Sequence, residues 1–518
     1  MDGATNLVAK SLVVVETVGS VTRYRLLETT RAYALEKPGE LDATARRHAE
    51  YYRGLFERAD AELESRPAGE WLSVHGRQID NLRTALDWAF SPSGDPALGV
   101  ALTVAAVPLW FQQSLLVECR DRAERARASL GPHPADPRRE MQLCAALGVS
   151  LMQTKGPAPD TIAAWTTALE IAERIGDLEY QLRALWGLWH FRVSRGECRA
   201  ALALALRFGD RVAAPDRALD RPVGERMVGT SLHYLGDQTS ARRHLESMLA
   251  HYVDSARRSH MIRFQYDQPL VARMILARIL WLQGFPDQGL RLARSNVVDA
   301  QAIGHAVSLC GALEVSSLLE IWSGELEAAE RSVAMLLDRS GRSALSVWHA
   351  RAVSPRGGPG AGWRRGGGVR GPAGRARRAA RHRLRALLHR PARHHGPGPG
   401  RGRSDTPGTR HHRRGAQPRR ARRGVLVPRG AAAHQGRAAP AGRGARRPRS
   451  SPRSTSSAPS TGRAGMELRC AVGLAQLWHA QGQTAAARAL LAPVYGRFTE
   501  GFATPELQAA RALLDRLG

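Results

Sequence analysis

Lys10-Ser11 stands where a nucleotide-binding chain would hold phosphate, but the loop in front of it is wrong. Gly3-Ala-Thr-Asn-Leu-Val-Ala-Lys-Ser has Ala9 in place of the glycine that must precede the lysine. That glycine lets successive backbone N–H groups wrap a phosphate. Lys10-Ser11 therefore reads as a helix end, and no acidic strand end of the Walker-B type is visible. His233, His251, His260 and His305 fall in helical context, none with a second metal ligand at i+4 or a cysteine beside it, so they read as structural. The HExxH and GxSxG signatures are absent. Cys119, Cys144, Cys198, Cys310 and Cys470 are widely spaced with no CxxC. This argues against a disulfide framework or a zinc site, and for small buried hydrophobes in a reduced cytosolic protein. Arg257-Arg258 with Arg263 offers a basic patch for an anionic ligand, although a solvated helix face is the simpler reading. No catalytic, cofactor-binding or metal-ligating residue is assigned, and the chain is not expected to be an enzyme.

The elements that would position such residues are nearly all helices. From Ala43 to about Ala350 apolar residues recur at helical period, as in 45–64, 71–90, 161–175, 180–193 and 274–282. Several helix pairs share one layout. An aromatic residue near the end of a first helix precedes a glycine, and an amphipathic second helix follows: Phe191 and Gly196, Tyr234 and Gly236, Trp281 and Gly284, Trp322 and Gly324, Trp478 and Gly482. Glycine suits the left-handed position that ends a helix, and the aromatic ring reads as a wedge within the pair. The glycine spacings are 40, 48 and 40 residues, then 158, close to four times 40. That is the period of helix-pair solenoids. The start differs. Residues 6–12 read as a helix end, and 13–16 and 23–27 as two strands around Val18-Gly-Ser20. Thr29 or Thr30 caps a further helix. A lone hairpin is unstable, so it is expected to pack on the helices that follow. No signal peptide is seen, and the longest apolar run, 98–111, is too short to span a membrane.

All of the chain's net charge of +29 lies in one block. Residues 351–465 hold 30 arginines, no lysine and a single acid, Asp405, while the remainder balances 46 basic against 46 acidic residues. The block lacks Ile, Phe, Tyr, Met, Asn and Cys. His394-His395 and His411-His412 invite a metal reading, but they belong to this stretch. Three readings compete: an arm that binds nucleic acid through phosphates, a disordered linker with too little apolar surface to order, and a reading frame lost near Ala352 and regained near Met466. GC-rich codons read out of frame yield Arg, Gly, Ala and Pro. Residues 425–440 can be encoded so that a one-nucleotide shift gives CWCLAELLRIKGELL, an amphipathic helix pattern. The block also fills the space where about three further repeats would stand. Frame loss fits best.

Three further sets of residues carry a family resemblance. Leu7-Val-Ala-Lys-Ser-Leu-Val and Arg23-Tyr-Arg-Leu-Leu-Glu-Thr-Thr-Arg-Ala-Tyr-Ala-Leu-Glu resemble the end of the winged-helix segment in bacterial signal-transduction ATPases of the transcriptional-regulator type. Arg47-His-Ala-Glu-Tyr-Tyr and Asp80-Asn-Leu-Arg-Thr-Ala-Leu-Asp-Trp-Ala look like the stretch joining that segment to their tetratricopeptide-like region. Arg263-Phe-Gln-Tyr-Asp-Gln, Leu280-Trp-Leu-Gln-Gly-Phe-Pro-Asp-Gln and Ala492-Pro-Val-Tyr-Gly-Arg-Phe-Thr-Glu-Gly-Phe are similar to its repeats and C-terminal end. The resemblance covers roughly residues 5–350 and 466–518. It implies an all-α solenoid of tetratricopeptide-like helix pairs (41–350 and 466–518), interrupted by the stretch whose composition reads as a disordered insert (351–465), and a winged-helix remnant (1–40). It further implies a non-catalytic, cytoplasmic regulatory region that takes a protein, peptide or small inducer on its concave face. ATP and sequence-specific DNA binding are expected only in a missing upstream domain, non-specific nucleic-acid binding only through the 351–465 arginines, and membrane binding not at all. The alternative is a stand-alone repeat adaptor with a basic disordered arm.

Overall fold

The computed structural model describes residues 2–18, 21–27, 29, 30, 33, 41–131, 136–342, 345, 348 and 464–518. The arginine block, with every expectation placed on it, lies outside the described residues except for Ala464 and Gly465. The chain opens with α1 (Asp2–Ala9), β1 (Val13–Val18) and β2 (Val21–Leu26). The strands pair antiparallel, Val13 opposite Leu26 and Val18 opposite Val21. Lys10-Ser11 does follow a helix end, with Ser11 in the left-handed region at φ 56°. The segment that directly follows the hairpin, where it is expected to pack, lies largely outside the described residues. The hairpin packs against α1, while Val15, Tyr24 and Leu26 are exposed and Val13 is buried.

Next come α2 (Leu41–Glu62), α3 (Ala68–His75), a 3-10 turn at Gly76–Gln78 and α4 (Ile79–Ala89). The single helical stretch expected over 71–90 is thus broken. At Gly76 the side chain of Gln113 approaches so closely that a Cβ would meet its amide nitrogen at 2.8 Å, and that amide donates to the Gly76 carbonyl at 2.8 Å. Then α5 (Pro96–Gln112) and α6 (Leu116–Ser129) lead into antiparallel pairs: α7 (Pro137–Thr154) with α8 (Pro159–Ile175), α9 (Leu178–Ser194) with α10 (Cys198–Arg211), and α11 (Arg221–Leu235) with α12 (Gln238–His251). After α13 (Arg257–Phe264) follow α14 (Gln268–Gln283) with α15 (Pro286–Ile303) and α16 (Ala306–Ser323) with α17 (Leu326–Arg342). The fold is a helical-repeat solenoid.

Local chemistry explains the turns. Asp95, Asp136, Asp177, Asp237 and Asp267 each cap a helix by accepting from backbone N–H groups two or three residues on. Each such cap contributes about 1 kcal/mol. Gly196, Gly236, Gly284, Gly324 and Gly482 all have φ between 76° and 95°, the left-handed turn expected of them. Gly156, at φ 77° and 40 residues before Gly196, begins the series one repeat earlier than the sequence reading; no aromatic residue marks it. The wedges hold. Phe191 and Trp281 are buried, and the Trp281 and Trp322 rings lie 5.7 Å apart. Pairs also mesh through missing side chains. The Trp165 indole lies between Gly148 and Gly187, where a Cβ would approach it to 2.5 and 2.2 Å.

The C-terminal helices α18 (Ala464–Ala480), α19 (Thr484–Tyr495) and α20 (Pro505–Leu517) form their own apolar cluster around Leu468, Leu491 and Leu513. They meet the array at the turn after α14. Phe498 lies against Gly284, the Gln288 N–H donates to Glu500 at 2.9 Å, and the Gly501 N–H donates to Asp287 at 2.9 Å. Helix α16 is long and apolar enough to cross a membrane, but 67% of it is buried within the array. Glu314 and Glu320 interrupt its apolar run. Cys119, Cys144 and Cys310 are buried as expected, whereas Cys198 is half-buried and Cys470 is exposed. Burial pushes the Cys119 and Cys310 thiols up to about 12 and Cys144 to about 11.

Candidate functional site

Between Gly236 and Gly284 the repeat is eight residues longer than its neighbours, and α13 is eight residues long. It ends on Gln265, whose φ of 62° turns the chain sharply into the cap of α14. Helix α13 is neither a free basic patch nor a solvated face. Arg257 pairs with the buried Asp267. Arg258 Nε donates 2.5 Å to the carbonyl of Leu63, 195 residues earlier, tying α13 to the end of α2. Arg263 reaches Glu179 at 2.6 Å and Asp220 at 2.5 and 3.1 Å. The His260 ring lies between Asp220, at 3.1 Å, and the Tyr252 hydroxyl, at 3.0 Å.

A chain of ion pairs therefore runs Arg183–Glu179–Arg263–Asp220 across three repeats and ends in the hydrogen bond of Asp220 with His260. Burial alone would raise the Glu179 carboxyl, but Arg183 and Arg263 outweigh it and hold it below the usual range. Burial likewise opposes ionisation of Asp220, and hydrogen bonds from His260 and Arg263 overcome it, bringing the carboxyl to about 2. Both acids stay charged at neutral pH, as a clamp requires.

With α13 in place, the array encloses a cleft of about 630 Å³. Its wall comes from α2, α3, α5, α6, α7, α9, α13, α15, α16 and α17, so residues almost 290 apart in sequence share one space. Apolar patches such as Val104, Ala105 and Ile262 alternate with Asp60, Arg139 and Arg183. The Asp60 side chain stands partly exposed at the edge of this cleft, with protein packed around its inner side. That desolvation lifts it above the ordinary carboxylate range despite Arg183 nearby. His305 closes one end, hydrogen-bonded to Ser308 at 2.9 Å, and burial lowers it to about 4. Volume and mixed polarity suit recognition of a ligand or peptide. No nucleophile–base–orienter set lies in the wall among the described residues.

The other singled-out histidines are structural. His233 is buried against Gln238 at 2.8 Å and brought to about 4 by burial, and His251 bonds the Ser247 carbonyl at 2.8 Å. Among the described residues no three His, Cys, Asp or Glu side chains could hold a metal ion. Sequence reasoning named Arg257, Arg258, Arg263 and His260 but missed their partners Glu179, Asp220 and Asp267. The one usable signal was the 48-residue spacing.

No protein-family model matches the chain. Over 196 residues it is 34% identical to proteins of Mycobacterium bovis and of two strains of Mycobacterium tuberculosis that carry the provisional name HTH-type transcriptional regulator. The match covers 36% of this chain and 22% of each relative, so the chain spans about a fifth of the length of the curated relatives it matches. Among solved structures it is similar to a Rap protein complexed with competence and sporulation factor (TM-score 0.42, 10% identity, 60% of this chain and 80% of that one). It is also similar to a signal-transduction ATPase with a tetratricopeptide repeat sensor from Pyrococcus horikoshii (TM-score 0.32, 14% identity, 67% and 54%).

Proposed function

We propose that this chain is the regulatory helical-repeat region of an HTH-type transcriptional regulator, and that its cleft receives a peptide or protein segment whose binding biases the rest of such a regulator. The enclosed cleft carries the reading. Its wall is drawn from helices spread along the whole array, so an occupant touches many repeats at once. Stacked repeats pass strain to their neighbours because each contacts mainly the next. The similarity to HTH-type regulators supports the regulatory role. The wall offers apolar pockets beside both signs of charge, as an extended peptide needs and an enzyme's concentrated catalytic cluster does not.

Peptide-display selection on the full chain tests this. Selected peptides should lose at least about tenfold in affinity for Ala105→Glu or Val104→Arg, which crowd and charge the cleft from half-exposed positions. They should also slow amide exchange in α5, α9 and α13. Peptides that bind both variants as well as wild type, or a selection that yields no binder, would remove the cleft from the reading.

A further inference from the structure

A second cavity, of about 120 Å³, lies farther along the first helices of the pairs, and the larger cleft shares none of its residues. Its wall is aromatic and aliphatic, with Trp186, Trp189, Tyr266 and Met274 prominent. Into this wall the fold places Arg226, which is 2% exposed. Its Nε donates to Gln268 at 2.7 Å, and the guanidinium lies 4.9 Å from the centre of the Trp189 ring. Nη2 is shielded from solvent and has no partner. No carboxylate among the described residues pairs with Arg226, unlike Arg183, Arg263 and Arg273, each of which has one. Burial brings Arg226 down to about 10, so it is still a cation at neutral pH.

Arg226 is not alone. Arg278 also lines the cavity. It donates to the Tyr234 hydroxyl at 3.1 Å and leaves a buried Nε unpartnered. The Trp186 indole N–H and the Thr230 hydroxyl, both on 3%-exposed residues of the same wall, are likewise buried without partners. Every one of these four groups is a hydrogen-bond donor, and Thr230 alone can also accept. Buried polar groups without partners are uncommon because each costs free energy. Four around one cavity, two of them cationic, define what is missing: an anion bearing several acceptors. Glu314 is the one acid among the described residues of the wall, so cations outnumber it. The apolar lining then fixes the remainder of the ligand as hydrophobic, and the volume is slightly below that of an engineered cavity that holds benzene.

We propose that this cavity binds a small organic carboxylate with an apolar body, anchored by Arg226. The proposal does not depend on what occupies the larger cleft. Calorimetric titration of the full chain with benzoate, phenylacetate and 4-methyl-2-oxopentanoate tests it, with benzamide and phenylacetamide as uncharged counterparts. At least one carboxylate should bind saturably at about 1 mM or tighter, the range open to a well-seated ligand of this size. The matching amide should be at least about tenfold weaker. Arg226→Met should lose that binding while keeping its helical circular dichroism and an equal or higher melting temperature, because it removes a buried cation that lacks an anion. Trp186→Phe and Thr230→Val keep the shape and remove one donor each, so each should weaken binding several-fold. They carry the test if Arg226→Met does not fold. Failure of all three carboxylates to bind, or undiminished binding by the folded variants, would overturn the proposal and leave a hydrated structural cavity.

Discussion

Arg263→Met removes the guanidinium that holds α13 against the array. Arg263 and Asp220 side chains are 9% and 5% exposed, so their pairing is shielded from water and salt. After the substitution Glu179 keeps Arg183, but Asp220 keeps only His260. Burial alone would raise the Asp220 carboxyl, yet it lies at about 2 against an ordinary 3.8, so the net about 2 kcal/mol is what remains after Arg263 and His260 overcome burial. Stranding one member of a buried ion pair generally costs about 3–5 kcal/mol. Methionine recovers some packing, so a loss of about 3 kcal/mol is expected by urea denaturation at pH 7. Because the folded Asp220 pKa is depressed, its contribution is fully present above the unfolded value of 3.8 and fades as pH falls toward about 2. The penalty of the variant should shrink over that window. Amide exchange should accelerate first within 257–264. Arg263→Met with Asp220→Leu removes both charges and should cost at least about 1 kcal/mol less than the sum of the single changes. A loss below about 0.5 kcal/mol, the size of an ordinary surface change, or strictly additive single changes, would refute the clamp.

Three further outcomes are expected. Gly187→Ala places a methyl group 2.2 Å from the Trp165 indole, which Gly148 blocks on its other side. It should destabilise by about 1–3 kcal/mol, and become stabilising in a Trp165→Leu background, as read by melting temperature. His233 is brought to about 4 by burial. The unfolded state therefore takes the proton first, and stability should fall between pH 6.5 and 4 by about 3 kcal/mol. His233→Gln should reduce that slope in denaturation measured across the range, leaving the part that the similarly lowered His305 contributes. Any DNA binding by the full chain should be independent of sequence and fall steeply with salt. It should vanish on deletion of 354–462, and sequence preference surviving in the deleted chain on two unrelated duplexes would show that the N-terminal segment reads DNA.

The repeat was legible because its rule is local. A left-handed turn needs glycine, so Gly196, Gly236, Gly284, Gly324 and Gly482 announce helix ends wherever an apolar stripe precedes them. The hairpin was legible for the same reason, from β-branched residues on either side of Gly19. Where a boundary depends on a distant side chain, as at Gly76 under Gln113, period alone ran 71–90 together. Gly156 escaped because its helix has no aromatic wedge to mark it.

The candidate site was legible only as an irregularity. Arg263 meets residues 84 and 43 positions away, and Arg258 one 195 away. Pairings at such distances leave no periodic trace, so charge on α13 looked like a solvated face. The spacing of 48 among spacings of 40 did carry the information, because a solenoid absorbs eight extra residues without losing register only by looping them out of the stack. Arg226 left a fainter sign of the same kind. It falls with Val223, Met227 and Thr230 on the buried stripe of α11, where a helix that needed only to pack would carry an apolar residue. In a repeat array the regular positions encode the scaffold. A residue or length that breaks the rule and is still accommodated with buried charge, as in α13 and at Arg226, marks where the scaffold gives up stability for recognition.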